Sequence, residues 1–321
     1  MPTRLKLNKL FSRKPKRRDV HRADRLFFYS LRAIGFLLFA LILGIGVQLA
    51  ILAAPALHQF GFGFLFSTQW DPVNDHFGAA PFLFGTIVSS ILALVISIPI
   101  SLGVALFLGE IAPKKIANPL SMLVEMLAAI PSVIYGLWGI FVLAPLLRTT
   151  LEPFLGKTLG FLPLFQGAPF GVGMLTAGII LAIMITPTIS AIAREVFRTI
   201  PLAQREAARA LGATRWETTR LAVLGSSRLG IYGAVTLGLG RALGETMAVT
   251  MVIGNRNEIS ASLFAPGQTM ASVIANEYSE ATSDLHLSAL AAIGLTLFGV
   301  SLIINIIARI LVRRVRIKEG G

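Results

Sequence analysis

The sequence contains no cysteine in its 321 residues, which excludes disulfide bonds, cysteine-ligated zinc and thiol catalysis. Its four histidines are scattered along the chain and form no metal-ligand pattern. A phosphate-binding P-loop is also missing. Gly156-Lys157-Thr158 resembles the end of one, but Leu151 stands where its first glycine is required. We therefore expect no catalytic, metal or nucleotide site in this chain.

Charge is scarce and mostly positive. Only 14% of the residues are charged, whereas soluble domains carry about a quarter. The net charge is +13, the hydrophobic fraction is 55% and the mean hydropathy is +0.75. Since the basic residues stand in blocks between apolar runs, the pattern favours a membrane protein over a nucleic-acid-binding one. We predict an all-α membrane protein, because helices satisfy their own backbone hydrogen bonds in lipid.

Six apolar runs predict about six transmembrane helices, since roughly 20 residues cross the hydrocarbon layer as a helix. The runs are Leu31–Ala54, Phe82–Leu108, Leu120–Leu147, Gly171–Ala193, Leu229–Gly254 and Leu287–Leu311. Pro131 is expected to kink the third helix. The first run is longer than the apolar part of a signal peptide, about 7–15 residues, so we interpret it as a span rather than a cleaved leader.

Lysine and arginine are concentrated in alternate connections between these runs. The basic segments are the amino terminus, residues 109–119, residues 194–228 and the carboxyl terminus. The positive-inside rule places all four in the cytoplasm, which requires an even number of spans. The chain then divides into a basic cytoplasmic tail over 1–25, expected to lie on anionic lipid headgroups, and a transmembrane domain over 26–321 with a cytoplasmic loop over 194–228.

This loop contains Glu206-Ala207-Ala208-Arg209-Ala210-Leu211-Gly212. A short helix is predicted from Pro201 to Leu211, because proline suits a first helical turn and glycine the position after a helix end. A second helix is predicted over Thr214–Leu224. The small Ala207 and Ala208 would let another protein approach closely, although a surface helix without a partner would show the same pattern.

The Glu-Ala-Ala-x-x-x-Gly pattern resembles the EAA loop of ABC-importer permeases. In that family the loop forms a coupling helix that seats in a groove of the ATPase subunit, which implies ATPase contact at Glu206, Ala207, Ala208 and Gly212. The family pattern continues with Ile-x-Leu-Pro, whereas this chain has Ala222-Val223-Leu224-Gly225, so only Leu224 matches. The departure leaves the bend before the fifth span undefined.

The fifth run contains one cation and one anion, Arg241 and Glu245. At i and i+4 they are expected to share a face of one helix. Each costs at least about 2.5–3.5 kcal/mol near the bilayer centre, so both need a reason to be there. One reason is a structural ion pair. The other is an anion pathway, in which Arg241 binds phosphate or sulfate oxygens and Glu245 holds or neutralises it.

Other residues in the spans have packing or structural interpretations. Gly238, Gly240 and Gly244 would allow a neighbouring helix, or a helix of a partner subunit, to approach closely. Glu125, at the cytoplasmic start of the third run, is interpreted as a carboxylate at a helix amino terminus rather than a transport residue.

Three stretches resemble the PstC-type family of phosphate-specific permeases. They are Gly240–Val249 with Ile253-Gly254-Asn255, Ala129–Gly139, and Phe77–Phe82. The resemblance covers the chain from about Leu26 to its carboxyl end. In that family the Arg and Glu of the fifth span are implicated in phosphate passage, and they correspond to Arg241 and Glu245.

The resemblance implies a type I ABC-importer permease fold in the bacterial cytoplasmic (inner) membrane. It also implies four partner chains: a second homologous permease, two ATP-binding subunits that hold ATP and Mg²⁺, and an extracytoplasmic phosphate-binding protein. A permease for sulfate or molybdate remains open, because its coupling loop would look the same. An ion-coupled secondary transporter with a proton relay at Arg241 and Glu245 is the alternative that needs no ATPase, and the coupling loop argues against it. A membrane-embedded enzyme is disfavoured by the lack of a catalytic set.

Overall fold

The computed structural model describes residues 17–319, with side chains over residues 24–310. Regular structure in this part consists of helices, and its β pairing is limited to two isolated bridges, Asp71–His76 and Gly254–Gly267. The prediction of an all-α protein is confirmed. The helices are α1 (Arg17–Phe60), α2 (Ala80–Leu106), α3 (Lys114–Ala129), α4 (Ser132–Leu159), α5 (Met174–Arg198), α6 (Leu202–Ala210), α7 (Arg215–Leu224), α8 (Arg228–Leu243), α9 (Met247–Val252), α10 (Met270–Glu277) and α11 (Asp284–Glu319).

Five helices of the described residues are long and apolar enough to cross a membrane: α1, α2, α4, α5 and α11. A sixth span results if α7 and α8, bent by 72° at their junction, are taken together. This agrees with the prediction of about six spans. The bend lies where the sequence departs from the Ile-x-Leu-Pro pattern, so a sharp turn is present without that proline.

The chain divides into two compact units, Met1–Ile51 and Leu52–Gly321. In the described part of the first unit, α1 exposes apolar side chains such as Leu37, Phe39 and Leu41. Such a surface suits lipid. Residues 1–16 of the predicted basic tail lie outside the described residues, and α1 begins at Arg17, inside the stretch assigned to the tail.

Helix α5 is at the centre of the second unit, because about two thirds of its most apolar stretch is buried. Ile180, Ile185 and Ile189 are completely enclosed. Helix α2 runs parallel to α5: a side chain at Gly178, near the start of α5, would overlap Leu92, near the middle of α2. Hydrogen bonds among Ser97, Ser101 and Thr186 join the same two helices.

The third predicted span, Leu120–Leu147, is wrong in position. Helix α3 ends at Ala129, and α4 starts at Ser132 and continues to Leu159. Pro131 therefore separates two helices instead of kinking one. The reason is local: the residue before a proline is driven out of the helical region, and Ile130 has φ −65° and ψ 130°.

The fifth predicted span, Leu229–Gly254, is interrupted. Helix α8 ends at Leu243, Gly244 closes it, and the short α9 begins at Met247. Glycine lowers helix stability by about 1 kcal/mol relative to alanine, so Gly240 and Gly244 make this region a weak point of the helix. The expectation that Arg241 and Glu245 share one continuous helix face is therefore wrong.

Candidate functional site

Arg241 lies in the last turn of α8 and reaches α3 and α5. Its Nη1 donates to the Thr188 hydroxyl over 3.0 Å, and its Nη2 donates to the Ala128 carbonyl over 3.4 Å. Tyr135 lies close enough to interact electrostatically with Arg241. Arg241 is half-buried and its guanidinium is bound by protein groups, so it does not face lipid alone.

Both acceptors are supplied by local features of their helices. Ala128 is in the final turn of α3, where carbonyls lack an intrahelical partner and the helix dipole is negative. Thr188 follows Pro187 inside α5. A guanidinium has five N–H donors, and these two hydrogen bonds leave donors free for an anion.

Glu245 is not bonded to Arg241. No ion pair joins the two within residues 24–310. Instead, the Glu245 carboxylate accepts a 3.4 Å hydrogen bond from the Ala248 backbone N–H at the start of α9. Glu245 thus lies at the interruption of the fifth span, where it is half-buried.

The structure brings together two of the stretches singled out in the sequence. A Cβ atom at Gly136 would lie 2.6 Å from Met251 Sδ and 3.1 Å from Ala248 Cα. One at Gly139 would lie 2.8 Å from Val252 Cγ1. Helix α4 therefore packs on α9 through glycines, beside the Arg241 site.

The three glycines predicted to aid packing have different surroundings. At Gly238 an added Cβ would lie 2.6 Å from the Cδ1 and Cγ1 atoms of Ile189, so the close approach of α5 is present. Among the described residues, nothing lies within 4 Å of such an atom at Gly240, and at Gly244 only the Gly240 carbonyl is near. Both are exposed within this chain, and a contact of these two with a partner helix stays a prediction.

The predicted helices of the 194–228 loop are confirmed to within one or two residues. Helix α6 follows Pro201, and Gly212 has a left-handed backbone with φ +86°. Hydrogen bonds from Gly212 N to Arg209 O and from Ala213 N to Ala208 O complete the helix end. Thr214 and Glu217 then form a reciprocal capping box at the start of α7.

The outward surface of this loop is open. Glu206 and Ala207 are exposed, and Ala208 is half-buried. Beside them lies a groove of about 640 Å³, which is lined by Gln204, Ala207, Ala208, Leu211, Gly212, Ala213, Glu217, Leu221 and Ala222. Leu211 is 90% exposed, so this apolar side chain lies beside the groove uncovered by any of the described residues.

Ion pairs join the loop to the ends of α2 and α3. Arg205 Nη2 lies 2.7 Å from Glu110 Oε1, and Arg194 Nη2 lies 2.7 Å from Glu125 Oε1. Glu125 is near the carboxyl end of α3, not at a helix start, so that interpretation was wrong. The wrong interpretation has the same cause as the misplaced third span. The contacts also put residues 109–119 and 194–228 at one end of the helices, as their shared basic character predicted.

The opposite end is held by a polar and aromatic cluster. Trp70 Nε1 donates to Glu277 Oε2 over 2.8 Å, and His286 Nε2 lies 3.0 Å from the same oxygen. In the nearby turn, hydrogen bonds from the Asn74 side chain and backbone hold the pKa of the Asp71 carboxyl below its usual range. The contacts of Trp70 and His286 with Glu277 thereby join segments that are distant in sequence.

Known proteins resemble the chain over most of its length. Residues 98–317 match the family model described as binding-protein-dependent transport system inner membrane component. The phosphate transport system permease protein PstC of Mesorhizobium japonicum is 46% identical over 93% of this chain and 92% of its own length. The PstC protein of Xylella fastidiosa is 45% identical over 96% of each. A probable PstC of Methanocaldococcus jannaschii is 39% identical over 88% of this chain and 90% of its own.

Solved structures show the same fold. A bacterial alginate ABC transporter, solved with a pentasaccharide-bound periplasmic protein, has a chain 17% identical with a TM-score of 0.61, covering 93% of this chain and 97% of that chain. The MetNI methionine ABC transporter, in an inward-facing conformation, has a chain 21% identical with a TM-score of 0.51, covering 74% and 94%. At such identities the likeness extends to the fold alone.

Proposed function

The chain belongs to the family of binding-protein-dependent transport system inner membrane components, and from this premise we infer that it is the permease subunit of an ATP-driven importer of inorganic phosphate. It is a multi-pass protein of the inner membrane with the fold of type I ABC-importer permeases. The import of phosphate follows from relatives that match nearly the whole chain and are phosphate transport permeases.

The observation that supports an anion path is the position of Arg241. Its guanidinium is oriented by Thr188 and the Ala128 carbonyl, and it keeps free donors. A planar fork of N–H groups matches the oxygens of a phosphate bidentately. Arg241 would bind the anion during passage, and Glu245, near the interruption of the span, would limit how long the anion stays by like-charge repulsion.

Sulfate and molybdate are the alternative cargoes. Arg241 alone does not discriminate among tetrahedral oxyanions, because its fork binds oxygens of any of them. The near full-length relatives favour phosphate, since all those described above are phosphate transport permeases.

Partner chains would supply ATP hydrolysis, for which this sequence contains no P-loop. The proposed complex contains a second homologous permease, two ATP-binding subunits and an extracytoplasmic phosphate-binding protein. ATP and Mg²⁺ would bind to the ATP-binding subunits. Helix α6 would enter their groove through Glu206, Ala207, Ala208 and Gly212, with both chain termini on the same cytoplasmic side.

Transport would proceed by alternating access. Closure of the ATP-binding subunits would displace α6, and α6 is joined through short connections to α5 on one side and to α7 on the other. The 72° bend between α7 and α8 would carry that displacement into the helix that holds Arg241. Rigid-body motion of these helices would then open the site to one side at a time.

The test is phosphate uptake into vesicles that contain the complete complex. Arg241→Ala is expected to abolish uptake while the subunits still assemble, and Arg241→Lys to lower it at least about tenfold, because an ammonium lacks the bidentate fork. Wild-type uptake by Arg241→Ala would refute the role of Arg241. Equal uptake of sulfate or molybdate by the unaltered complex would refute the assignment to phosphate.

A further inference from the structure

Helix α6 is attached to the rest of the chain by few side chains. None of its residues is fully buried, and only Arg205 and Ala208 are half-buried. Arg205 is the long side chain that extends from α6 to the neighbouring helices. The Nη2 atom of Arg205 lies 2.7 Å from Glu110 Oε1 and 2.8 Å from the Phe197 carbonyl oxygen. One nitrogen thus joins α6, the end of α2 and the last turn of α5.

The connection to α2 is shielded from solvent. The side chains of Arg205 and Glu110 are each 14% exposed. By contrast, the Arg198–Glu195 pair in the same region has exposures of 46% and 60%. A shielded pair is costly to break because each partner would be left as an uncompensated charge, whereas an exposed pair is screened by water. The Arg205–Glu110 contact is therefore expected to persist when α6 moves.

The ends of α2 and α5 are already in contact beneath this pair. Glu110 belongs to a π-helical turn, Phe107–Ile111, that extends α2. A Cβ atom at the neighbouring Gly109 would lie 3.7 Å from Arg194 Cγ and 3.9 Å from Phe197 Cβ, which is ordinary packing distance. A pull on Glu110 would thus act on two helices that pack as one body.

We propose that Arg205 is a positioning residue that couples α6 directly to α2, so that the coupling helix moves α2 and α5 together. This rests on the proposed function. The chain itself links α6 to α5 and α7 only, and Arg205 adds a span that has no covalent link to the loop. Since α5 carries Thr188, which holds Arg241, joint motion of α2 and α5 reaches the anion site.

The first test measures phosphate uptake and ATP hydrolysis in the same vesicles, with the complete complex. Arg205→Gln is expected to lower phosphate transported per ATP hydrolysed at least about tenfold, within the range typical of coupling between sites. Copurification of the ATP-binding subunits should be unchanged. Arg198→Gln is the matched control, since it removes an exposed arginine from the same end, and it should keep wild-type coupling. Wild-type coupling in Arg205→Gln would overturn the proposal.

The second test replaces the ion pair by a covalent link. Because the chain has no cysteine, Glu110→Cys combined with Arg205→Cys can be joined by a flexible bifunctional thiol reagent. Coupling should be low in the double variant and return when the link forms, while the two single-cysteine variants treated alike should not recover. Confirmed cross-linking without recovery would overturn the proposal, even if Arg205→Gln assembles poorly.

Different results would contradict the proposed function and the role of Arg205. If the unaltered complex showed no phosphate-dependent ATP hydrolysis, this would contradict the proposed function. Normal phosphate transport by the unaltered complex, together with full coupling in both Arg205→Gln and the unlinked double variant, would contradict the role of Arg205 alone.

Discussion

Arg241 of α8 donates a hydrogen bond to Thr188 of α5, with 3.0 Å between Nη1 and Oγ1. The contact joins the helix that follows the 194–228 loop to the helix that precedes this loop. A guanidinium fixed in this way is oriented before an anion arrives, and less conformational entropy is lost on binding. The proposed anion site is therefore shared between helices on both sides of the loop.

Thr188 is expected to matter through its hydroxyl. Thr188→Val keeps the shape but removes the acceptor, and a hydrogen bond to a charged group is worth about 1.5–3 kcal/mol. Since Arg241 is only half-buried, we expect the lower end of this range, about tenfold in phosphate uptake. Thr188→Ser retains the hydroxyl and should transport normally. Equal transport by the valine and serine variants would show that the hydrogen bond is not needed.

Glu206 is expected to matter through ATPase contact. Glu206→Lys reverses an exposed charge beside the groove at α6, so the ATP-binding subunits should copurify less and hydrolysis should no longer respond to phosphate. The control is Glu258→Lys, the same charge reversal at a residue whose ion pair with Arg256 is exposed. Undiminished copurification of Glu206→Lys would count against docking at this helix.

Gly238 and Gly240 separate packing within the chain from packing against a partner. Gly238→Val forces atoms against the enclosed Ile189 and should destabilise the protein by about 1–3 kcal/mol, measured as a lower melting temperature. In Gly240→Val, no atom of the residues that the structure describes lies within 4 Å of the new Cβ. This substitution should leave the isolated chain intact but weaken association with the second permease. Normal association would place the partner elsewhere.

The turn at Asp71 is expected to depend on pH. Hydrogen bonds from Asn74 favour the ionised carboxylate, so the folded-state pKa lies below the unfolded value of about 3.9. The stabilisation is complete above the unfolded-state pKa and is lost as pH falls through the lower folded-state pKa. Hydrogen exchange should show the Val73 and Asn74 amides losing protection in that window. Asp71→Asn, which cannot ionise, should show no such change, and an identical profile in both proteins would contradict the assignment.

The loop over residues 194–228 was the part best predicted from sequence. Pro201 and Gly212 bound a helix by local backbone preferences that need no tertiary contact, and α6 lies between them. The spans around Pro131 and Gly244 were instead predicted from hydropathy, which does not register a break that leaves the apolar character unchanged, although both breaks have local causes. Apolar residues continue on both sides of each break, so a run of hydrophobic residues was interpreted as one helix.

Thr188 and Ala128 were missed as partners of Arg241. The one sequence signal at Thr188 is a hydroxyl next to Pro187 in an apolar run, and Ala128 acts through its carbonyl, which every residue possesses. Arg205 was likewise overlooked beside the more familiar Glu206. A shielded pair with Glu110 cannot be inferred from an arginine in a basic loop.

The amino-acid sequence by itself determined the membrane class, a count of about six spans and the short helix α6, because apolar length, charge distribution and helix-end residues act locally. It also identified Arg241 as a residue that needs a partner. Only the tertiary structure decided which partners these are. Thr188 and Ala128 lie 53 and 113 residues from Arg241 in sequence, and the packing of α3, α5 and α8 brings them within hydrogen-bond distance.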